Sequence, residues 1–186
     1  MGPVDHIKED PVVIKSLLPF ELVDYAFNLW RKSGLQFVDD NGQVRDRVSA
    51  SAVGKFIVSY WTQDEFKPIM DHIKDKIEEH VPDATFNDFR ILKYTKGCSI
   101  PTHIDGLDTL RSNTHNVIIQ LSSPEDYKGG KVIINNELYD MEPGDGLIYD
   151  FKVLHEVRPV KEGIRYVMNI RFHSDKEDLT SNVLTN

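Results

Sequence analysis

The second half of this 186-residue chain is a succession of short apolar segments separated by turn residues. In segment 115–121 the residues His115, Val117, Ile119 and Leu121 alternate with Asn116, Ile118 and Gln120, which is the period-two pattern of a strand with two different faces. Similar segments lie at 89–94, 131–135, 137–141, 147–151, 156–160 and 164–172, with turn signals at Asn135-Asn136, Pro143-Gly144 and Glu162-Gly163. Short strands at this spacing predict a β-sandwich or jelly roll.

The first eighty residues carry helical periodicity instead. Residues 12–18 are mainly apolar and predict a short first strand. Pro19 then suits a helix start, and apolar residues recur at helical spacing to about Lys32. A second amphipathic helix is predicted at about 63–80, because Phe66, Ile69, Ile73 and Ile77 recur every three or four residues. Residues 42–55 fit either a mobile loop or an irregular strand.

The predicted fold is therefore mainly β with flanking helices (α+β). Its core is a double-stranded β-helix, or jelly roll, with the N-terminal helices packed on one side. We expect a single domain over 1–186, with helical support at about 12–82, the jelly roll at about 85–173 and a polar tail at 174–186. This length suffices for one core and is short for two.

Composition excludes several classes of protein. The formal net charge of −8 argues against broad binding to nucleic acid or to an anionic membrane, since both require a basic surface. The only cysteine is Cys98, so an internal disulfide framework is ruled out. There is neither an apolar run long enough to span a membrane nor a hydrophobic signal core, so we expect a cytoplasmic protein.

Three residues have the spacing and chemistry of a metal site. His103 and Asp105 are two apart, so on a strand their side chains would leave the same face. With His155 they would supply two imidazoles and a carboxylate, the facial triad of non-haem Fe(II) oxygenases. Ten residues further on, Arg165 carries a fork of donors that matches a carboxylate. A lone His-X-Asp pair arises easily by chance, so the surrounding residues must carry the argument.

Segment 91–172 resembles the prolyl-4-hydroxylase-like branch of the Fe(II)/2-oxoglutarate dioxygenases, which includes the bacterial hydroxylases of PKHD type. Five matching pieces follow one another in family order. They are Leu92-Lys93-Tyr94-Thr95-Lys96-Gly97 leading to His103-Ile104-Asp105, Asp126-Tyr127-Lys128-Gly129-Gly130-Lys131, Pro143-Gly144-Asp145-Gly146-Leu147-Ile148-Tyr149, His155-Glu156-Val157-Arg158-Pro159-Val160 and Gly163-Ile164-Arg165.

The resemblance implies a role for each site residue. It makes His103, Asp105 and His155 the iron ligands, and Arg165 the residue that grips the distal carboxylate of 2-oxoglutarate. Tyr94 would support that carboxylate, and Thr114 would lie near the cosubstrate. The alternatives from the residues alone are a surface arginine at 165 and a core tyrosine at 94. By alternation Asn116 and Asn169 could line the pocket, whereas His115 on the opposite face and Cys98 are expected to be structural.

By the same resemblance we expect an enzyme that uses Fe(II), 2-oxoglutarate and O2, with ascorbate supporting activity. The expected reaction is hydroxylation of an unactivated C–H, with a prolyl residue of a protein or peptide as the leading substrate. Alternatives are a free amino acid or another peptide residue, a cupin-like non-oxidative metalloenzyme, and a non-catalytic binding module. Specificity is expected in segment 39–55, including Arg45 and Arg47, and near Tyr60-Trp61. The oligomeric state stays open.

Overall fold

The computed structural model describes residues 10–32, 56–105 and 113–174, with the backbone alone for 56–61. Two helices are present in these ranges, α1 (Phe20–Lys32) and α2 (Gln63–His80). The strands are β1 (Val12–Ile14), β2 (Phe56–Trp61), β3 (Ala84–Tyr94), β4 (Ile100–His103), β5 (His115–Gln120), β6 (Tyr127–Gly129), β7 (Val132–Ile134), β8 (Glu137–Tyr139), β9 (Gly146–Asp150), β10 (His155–Val157), β11 (Val160–Gly163) and β12 (Arg165–Ser174). A short 3-10 helix (Pro124–Asp126) precedes β6.

Antiparallel pairing arranges the strands into two principal sheets. The major sheet has the order β1-β9-β5-β12-β3-β2, and the minor sheet has the order β4-β10-β7-β8. A separate pair joins β11 to β6. Apolar side chains from both sheets meet between them, as where Leu92 and Val167 of the major sheet cluster with Val157 of the minor sheet. This confirms the predicted double-stranded β-helix.

The helices cover the outer face of the major sheet. Buried side chains of α1 and α2, such as Trp30 and Ile73, pack in one cluster with Ile91, Val117 and Ile170 of the sheet. The capping box between Thr62 and Glu65 fixes the start of α2. The predicted position of the helices on one side is therefore correct. Among the described residues, no helix combines the length and apolarity needed to cross a membrane.

The Pro143-Gly144-Asp145-Gly146 motif attaches the N-terminal segment to the jelly roll. The Asp145 carboxylate is buried and accepts hydrogen bonds from the backbone N–H groups of Ser16 (2.9 Å) and Glu142 (3.0 Å). A Cβ on Gly144 would stand 2.2 Å from the carbonyl oxygen of Leu18, and Gly144 has φ +87°. This motif therefore positions the entry to α1 and lies outside the chemistry.

Three predicted elements are corrected, and one strand was missed. The single strand predicted at 156–160 is two strands in different sheets, β10 and β11, because Pro159 lacks an N–H and breaks the ladder between them. The predicted turn at Glu162-Gly163 belongs to the end of β11. The strand predicted at 12–18 ends at Ile14, where the chain turns through Ser16 at φ 51°. β2 was not predicted, and it places Tyr60-Trp61 on an edge strand beside β3. The predicted features at 33–55 and the tail beyond Ser174 lie outside the described residues.

Candidate metal and cosubstrate site

Two paired strands bring the predicted metal ligands together. His103 ends β4 and His155 begins β10, and the two residues are direct partners across the antiparallel ladder. Asp105 lies two residues beyond the end of β4, so the expectation of one continuous strand through both ligands was wrong. Its backbone N–H donates to the carbonyl of Phe151 (2.8 Å), which holds it beside the histidines. Ligand atoms of the three side chains all lie within 4.8 Å of one another.

Both histidines present the same ring nitrogen to this group. His103 Nδ1 lies 2.8 Å from the carbonyl oxygen of Pro101, and His155 Nδ1 lies 2.8 Å from that of Val153. A carbonyl oxygen only accepts, so in each ring Nδ1 carries the proton and Nε2 of the neutral ring carries a lone pair. The Nε2 atoms lie 3.5 Å (His103) and 3.6 Å (His155) from Asp105 Oδ1. This is the orientation that metal ligation requires.

The electrostatics of the group favour a bound cation. Burial raises the pKa of Asp105, but hydrogen bonds and charge from His103 and His155 outweigh it and hold that pKa far below its usual range. The pKa of His103 is raised, chiefly by its hydrogen bond to Asp105. The carboxylate is therefore ionised at neutral pH, and a proton on His103 occupies the place that a metal would take.

The second oxygen of Asp105 faces the inside of the major sheet. Asn116 Nδ2 donates to Asp105 Oδ2 (2.6 Å), and Asn169 Nδ2 donates to Asn116 Oδ1 (3.1 Å). Arg90 donates from its guanidinium to Asn169 Oδ1. The alternation of β5 and β12 had suggested the two asparagines. Arg90 was missed, although it is four residues from Tyr94 on β3 and so shares its face.

Arg165 lies on the same inner face and is fully buried. It has 1% of its surface exposed, and β12 runs between β5 and β3, so the alternative of a surface arginine on an edge strand was wrong. Its Nε donates to Gln120 Oε1 (3.2 Å), whereas its Nη2 is buried and has no hydrogen-bond partner among the described residues. Burying a guanidinium nitrogen without a hydrogen-bond acceptor costs free energy, and a bound ligand could supply that acceptor.

A cavity opens beside Arg165, and none of the three proposed metal ligands lines it. A cavity of about 370 Å³ is lined by Arg165, Gln120, Tyr127 and Gly130 among others. A Cβ on Gly130, which has φ +61°, would stand 3.4 Å from Arg165 Cδ and 3.1 Å from Val160 Cγ2, so the glycine leaves room for the arginine. Gln120 Nε2 donates to the Tyr127 hydroxyl (3.0 Å), which orients its Oε1 toward Arg165. Sequence alternation had placed Gln120 on this face without assigning it a role.

Tyr94 lies beside Arg165, whereas Thr114 lies beyond the opposite end of β5 from Gln120. Tyr94 is the ladder partner of Arg165, whose guanidinium carbon lies 5.3 Å from the centre of the tyrosine ring. Burial raises the pKa of Tyr94, against the opposing charge of Arg165. The hydroxyl of Thr114 contacts His115 Nδ1 (2.7 Å) and accepts from the backbone N–H of Ser174 (3.0 Å). Thr114 is six residues from Gln120, roughly 20 Å along a strand, so the geometry gives its predicted role no support.

The two residues expected to be structural lie away from the chemistry. His115 stacks on Phe172, with 5.2 Å between ring centres, on the face covered by the helices. Cys98 is completely buried in the apolar cluster between the sheets. It is not part of the His103, Asp105 and His155 group.

Comparison with known proteins adds to this geometry. Residues 89–173 match the family model described as the 2OG-Fe(II) oxygenase superfamily. A PKHD-type hydroxylase of Rippkaea orientalis is 32% identical over 85 residues, covering 41% of this chain and 38% of that protein. A PKHD-type hydroxylase of a Synechococcus strain is 36% identical over 84 residues, covering 39% and 37%. The chain therefore matches less than two fifths of the length of these relatives.

Solved structures resemble almost the whole chain in fold. The viral collagen prolyl hydroxylase of Paramecium Bursaria Chlorella virus-1 superposes with a TM-score of 0.66 at 14% identity, covering 91% of this chain and 99% of that one. A prolyl hydroxylase of Trichoplax adhaerens in complex with a hypoxia inducible factor peptide gives 0.64 at 17% identity, covering 92% and 86%. SnoN, a non-heme alpha ketoglutarate dependent epimerase from nogalamycin biosynthesis, gives 0.67 at 11% identity, covering 88% and 77%.

At these identities the solved structures establish the fold, and the sequence matches show a similarity that is confined to segment 89–173. Segment 89–173 contains His103, Asp105, His155 and Arg165 in the arrangement described above. Through this segment the chain is similar to the 2OG-Fe(II) oxygenase superfamily and, within it, to PKHD-type hydroxylases.

Proposed function

We propose that this chain is an Fe(II)- and 2-oxoglutarate-dependent dioxygenase that hydroxylates an unactivated C–H. One observation carries the proposal. A fully buried arginine, Arg165, with an unpartnered Nη2 lies on the inner face of the major sheet. A cluster of two histidines and one aspartate lies on the minor sheet and contacts that same inner face through the hydrogen bond from Asn116 to Asp105. In this proposal the whole of 1–186 serves one oxygenase domain, with the N-terminal segment supporting the jelly roll.

The donor set fits Fe(II). His103 and His155 each offer a neutral Nε2, and Asp105 offers a hard carboxylate oxygen. Cys98, the one thiol of the chain, is not in the group, so no soft ligand competes. Three protein ligands leave further coordination positions for cosubstrate and oxygen. His103, Asp105 and His155 would therefore hold the iron.

Arg165 would hold the distal carboxylate of 2-oxoglutarate. Its unpartnered Nη2 needs an acceptor, and a carboxylate supplies one with a charge-assisted bond. Tyr94 lies against the guanidinium, and Gln120 fixes its Nε, so the fork is held in place before the cosubstrate arrives. Thr114 keeps its expected place near the cosubstrate only as a prediction from the family resemblance.

Bound Fe(II) would supply oxygen activation, with 2-oxoglutarate, O2 and a C–H converted to succinate, CO2 and a C–OH. The protein supplies orientation and a dry interior. Leu92, Val157, Val167 and the partly buried Ile118 form one apolar cluster between the two sheets, of which the minor sheet carries the two histidines and the major sheet carries Arg165. Ascorbate is proposed as a supporting reductant.

We further propose a prolyl residue of a protein or peptide as the substrate. Two structural neighbours are prolyl hydroxylases, one of them described with a peptide, and the related sequences are PKHD-type hydroxylases. Hydroxylation of a free amino acid or of another peptide residue is the alternative, because the same fold also serves an epimerase. The comparisons do not favour the cupin-like alternative or a non-catalytic module.

Succinate formation from 2-oxoglutarate tests the substrate. The purified chain would be assayed with Fe(II), O2 and ascorbate, with and without a panel of proline-containing peptides and free amino acids, beside a His103→Ala variant. We expect succinate that requires His103 and increases with one of the peptides, with a mass gain of one oxygen on a prolyl residue. Stimulation by a free amino acid alone would contradict the peptidyl-proline proposal and keep the oxygenase.

A further inference from the structure

We infer that Asn116 is a positioning residue for Asp105, and that Arg90, acting through Asn169, sets the direction of the hydrogen bonds that hold it. The inference rests on the proposed function, because it concerns how the metal ligand is presented. It assigns a role to three inward-facing side chains on three adjacent strands, β5, β12 and β3. None of the three belongs to the ligand group itself.

The contacts form an unbroken chain from Arg90 to the carboxylate. Arg90 donates to Asn169 Oδ1, Asn169 Nδ2 donates to Asn116 Oδ1 (3.1 Å), and Asn116 Nδ2 donates to Asp105 Oδ2 (2.6 Å). The two asparagines are 2% and 4% exposed, so water does not compete for these bonds. Asn169 and Asn116 are also partnered with Arg90 and Arg171, respectively, in the strand register, so the backbone fixes the spacing.

The direction of this chain is determined by its two ends. A guanidinium only donates, so Asn169 must turn its oxygen toward Arg90 and its amide nitrogen toward Asn116. Asn116 must then accept with its oxygen, which leaves its NH2 to face Asp105. An ionised carboxylate only accepts, so the last bond is satisfied as well. Rotating either amide by half a turn would place oxygen against oxygen or NH2 against a donor.

The two oxygens of the Asp105 carboxylate have different partners in this arrangement. Oδ2 is occupied by Asn116, and Oδ1 faces the Nε2 atoms of His103 and His155 at 3.5 and 3.6 Å. One oxygen is thus offered to the metal in a fixed orientation before the metal binds. Partners of this kind, which hold a ligand from behind, typically contribute about 10- to 100-fold to metal affinity.

The chain contains a matched control for this test. Asn113 is also buried, and its Nδ2 donates to Asp88 Oδ2 (3.1 Å), the same amide-to-carboxylate contact as that of Asn116. Asp88 is not among the metal-binding residues. Asn116→Ala and Asn113→Ala therefore remove equivalent groups, and only the first removes a contact to a proposed ligand.

The experiment measures Co(II) binding by calorimetry and by the visible spectrum of the bound ion, without substrate or turnover. We expect Asn116→Ala to weaken Co(II) binding by about 10- to 100-fold and to alter the spectrum, and Asn113→Ala to leave both unchanged. Equal affinities for Asn116→Ala and the unaltered chain would overturn the inference, as would an equal loss in both variants. Binding that persists in His103→Ala, or none in the unaltered chain, would overturn the metal site itself and the inference with it.

A second pair of variants tests the direction set by Arg90. Arg90→Lys keeps a donor-only cation, whereas Arg90→Met removes the donor and frees the Asn169 amide to rotate. Coulomb repulsion alone predicts that removing a cation tightens Co(II) binding. Our inference predicts the opposite order, with Arg90→Met binding Co(II) several-fold more weakly than Arg90→Lys. Tighter binding by Arg90→Met would refute a role for Arg90 in fixing the amides.

Discussion

Replacing Arg165 by methionine tests whether this arginine binds the cosubstrate or stabilises the fold. The first role predicts a loss of 2-oxoglutarate affinity without a loss of stability, and the second predicts the opposite. The guanidinium is fully buried and lies against the Tyr94 ring, its Nε donates to Gln120 at 3.2 Å, and its Nη2 has no partner among the described residues. Methionine has a similar length and no polar atom to satisfy. The substitution therefore removes a charge that the cosubstrate-free protein does not compensate fully.

The magnitudes can be worked from these contacts. The variant loses a hydrogen bond worth about 1–1.5 kcal/mol and a cation–π contact with Tyr94 worth about 1–2 kcal/mol. The variant no longer bears the cost of the unsatisfied buried donor, about 1–3 kcal/mol, or the cost of desolvating the cation, several kcal/mol more. We expect the cosubstrate-free variant to be as stable as the unaltered chain, or more stable. Its affinity for 2-oxoglutarate should fall by about 10- to 150-fold, since the contact is worth about 1.5–3 kcal/mol.

The assays are urea unfolding of the metal-free protein and calorimetric titration of 2-oxoglutarate into the anaerobic Mn(II) form. Arg171→Met is the matched control, because Arg171 lies on the same face of β12 and pairs with buried Asp88 at 3.0 Å. Its loss removes the cation that is paired with buried Asp88, to which Asn113 still donates, and should destabilise the chain by at most about 3–5 kcal/mol. We expect the affinity for 2-oxoglutarate to change less in this control than in Arg165→Met. If Arg165→Met unfolds more easily than Arg171→Met and keeps its 2-oxoglutarate affinity, Arg165 is a structural residue and our reasoning is refuted.

Three further substitutions test other parts of the account. His155→Ala should abolish Fe(II)-dependent turnover and Mn(II) binding while circular dichroism stays unchanged; retained metal binding would remove His155 from the site. Asp145→Asn should lower the free energy of unfolding at pH 7 by about 1–3 kcal/mol, because its carboxylate holds the backbone of Ser16 and Glu142. Burial raises the pKa of Asp145, but the hydrogen bonds from Ser16 and Glu142 and the charge of Lys15 bring that pKa below its usual range. The stabilisation by the Asp145 carboxylate is therefore fully present above about pH 4. It is lost as the pH falls through the lowered pKa of the folded state. A difference from the unaltered chain that grows toward low pH would contradict this sign. Gly129→Ala should destabilise the chain without weakening metal binding per folded molecule. Gly129 has φ +77°, and a Cβ there would lie 2.2 Å from the carbonyl oxygen of Pro159. An unchanged melting temperature would contradict this and show that β6 and β11 can move apart.

Periodicity predicted the elements whose two faces differ in polarity. The helix at 63–80 and the strand at 115–120 were predicted to within a residue, because the apolar positions Ile69, Ile73, Val117 and Ile119 all face the same helix-covered core. Strand β2 was not predicted, because this edge strand is defined by its pairing with β3, which the local sequence does not reveal. The division of segment 156–160 between two sheets depends on Pro159 and on contacts with residues 129–130, which local sequence does not contain.

The sequence predicted the main residues of the site but not the side chains that hydrogen-bond to them. Motif spacing identified His103, Asp105 and His155, which the structure brings together beside the minor sheet, and Arg165, which lies on the inner face of the major sheet. It could not reveal that Arg165 is buried and incompletely paired, because burial follows from the central position of β12. Arg90 and Gln120 were overlooked as partners because each acts through a residue distant in sequence, Asn169 and Arg165. Thr114 was suggested by resemblance, and its hydroxyl is engaged at the other end of β5.

Conversion of 2-oxoglutarate to succinate by the purified Fe(II)-loaded chain, compared with His103→Ala and Arg165→Met, tests the central claim most directly. The account predicts O2-dependent succinate from the unaltered chain and none from His103→Ala. Arg165→Met should regain succinate formation only at 2-oxoglutarate concentrations raised by about 10- to 150-fold. Absence of succinate under every condition, with zinc as the metal bound by His103, Asp105 and His155, would contradict the oxygenase and favour a non-oxidative metalloenzyme.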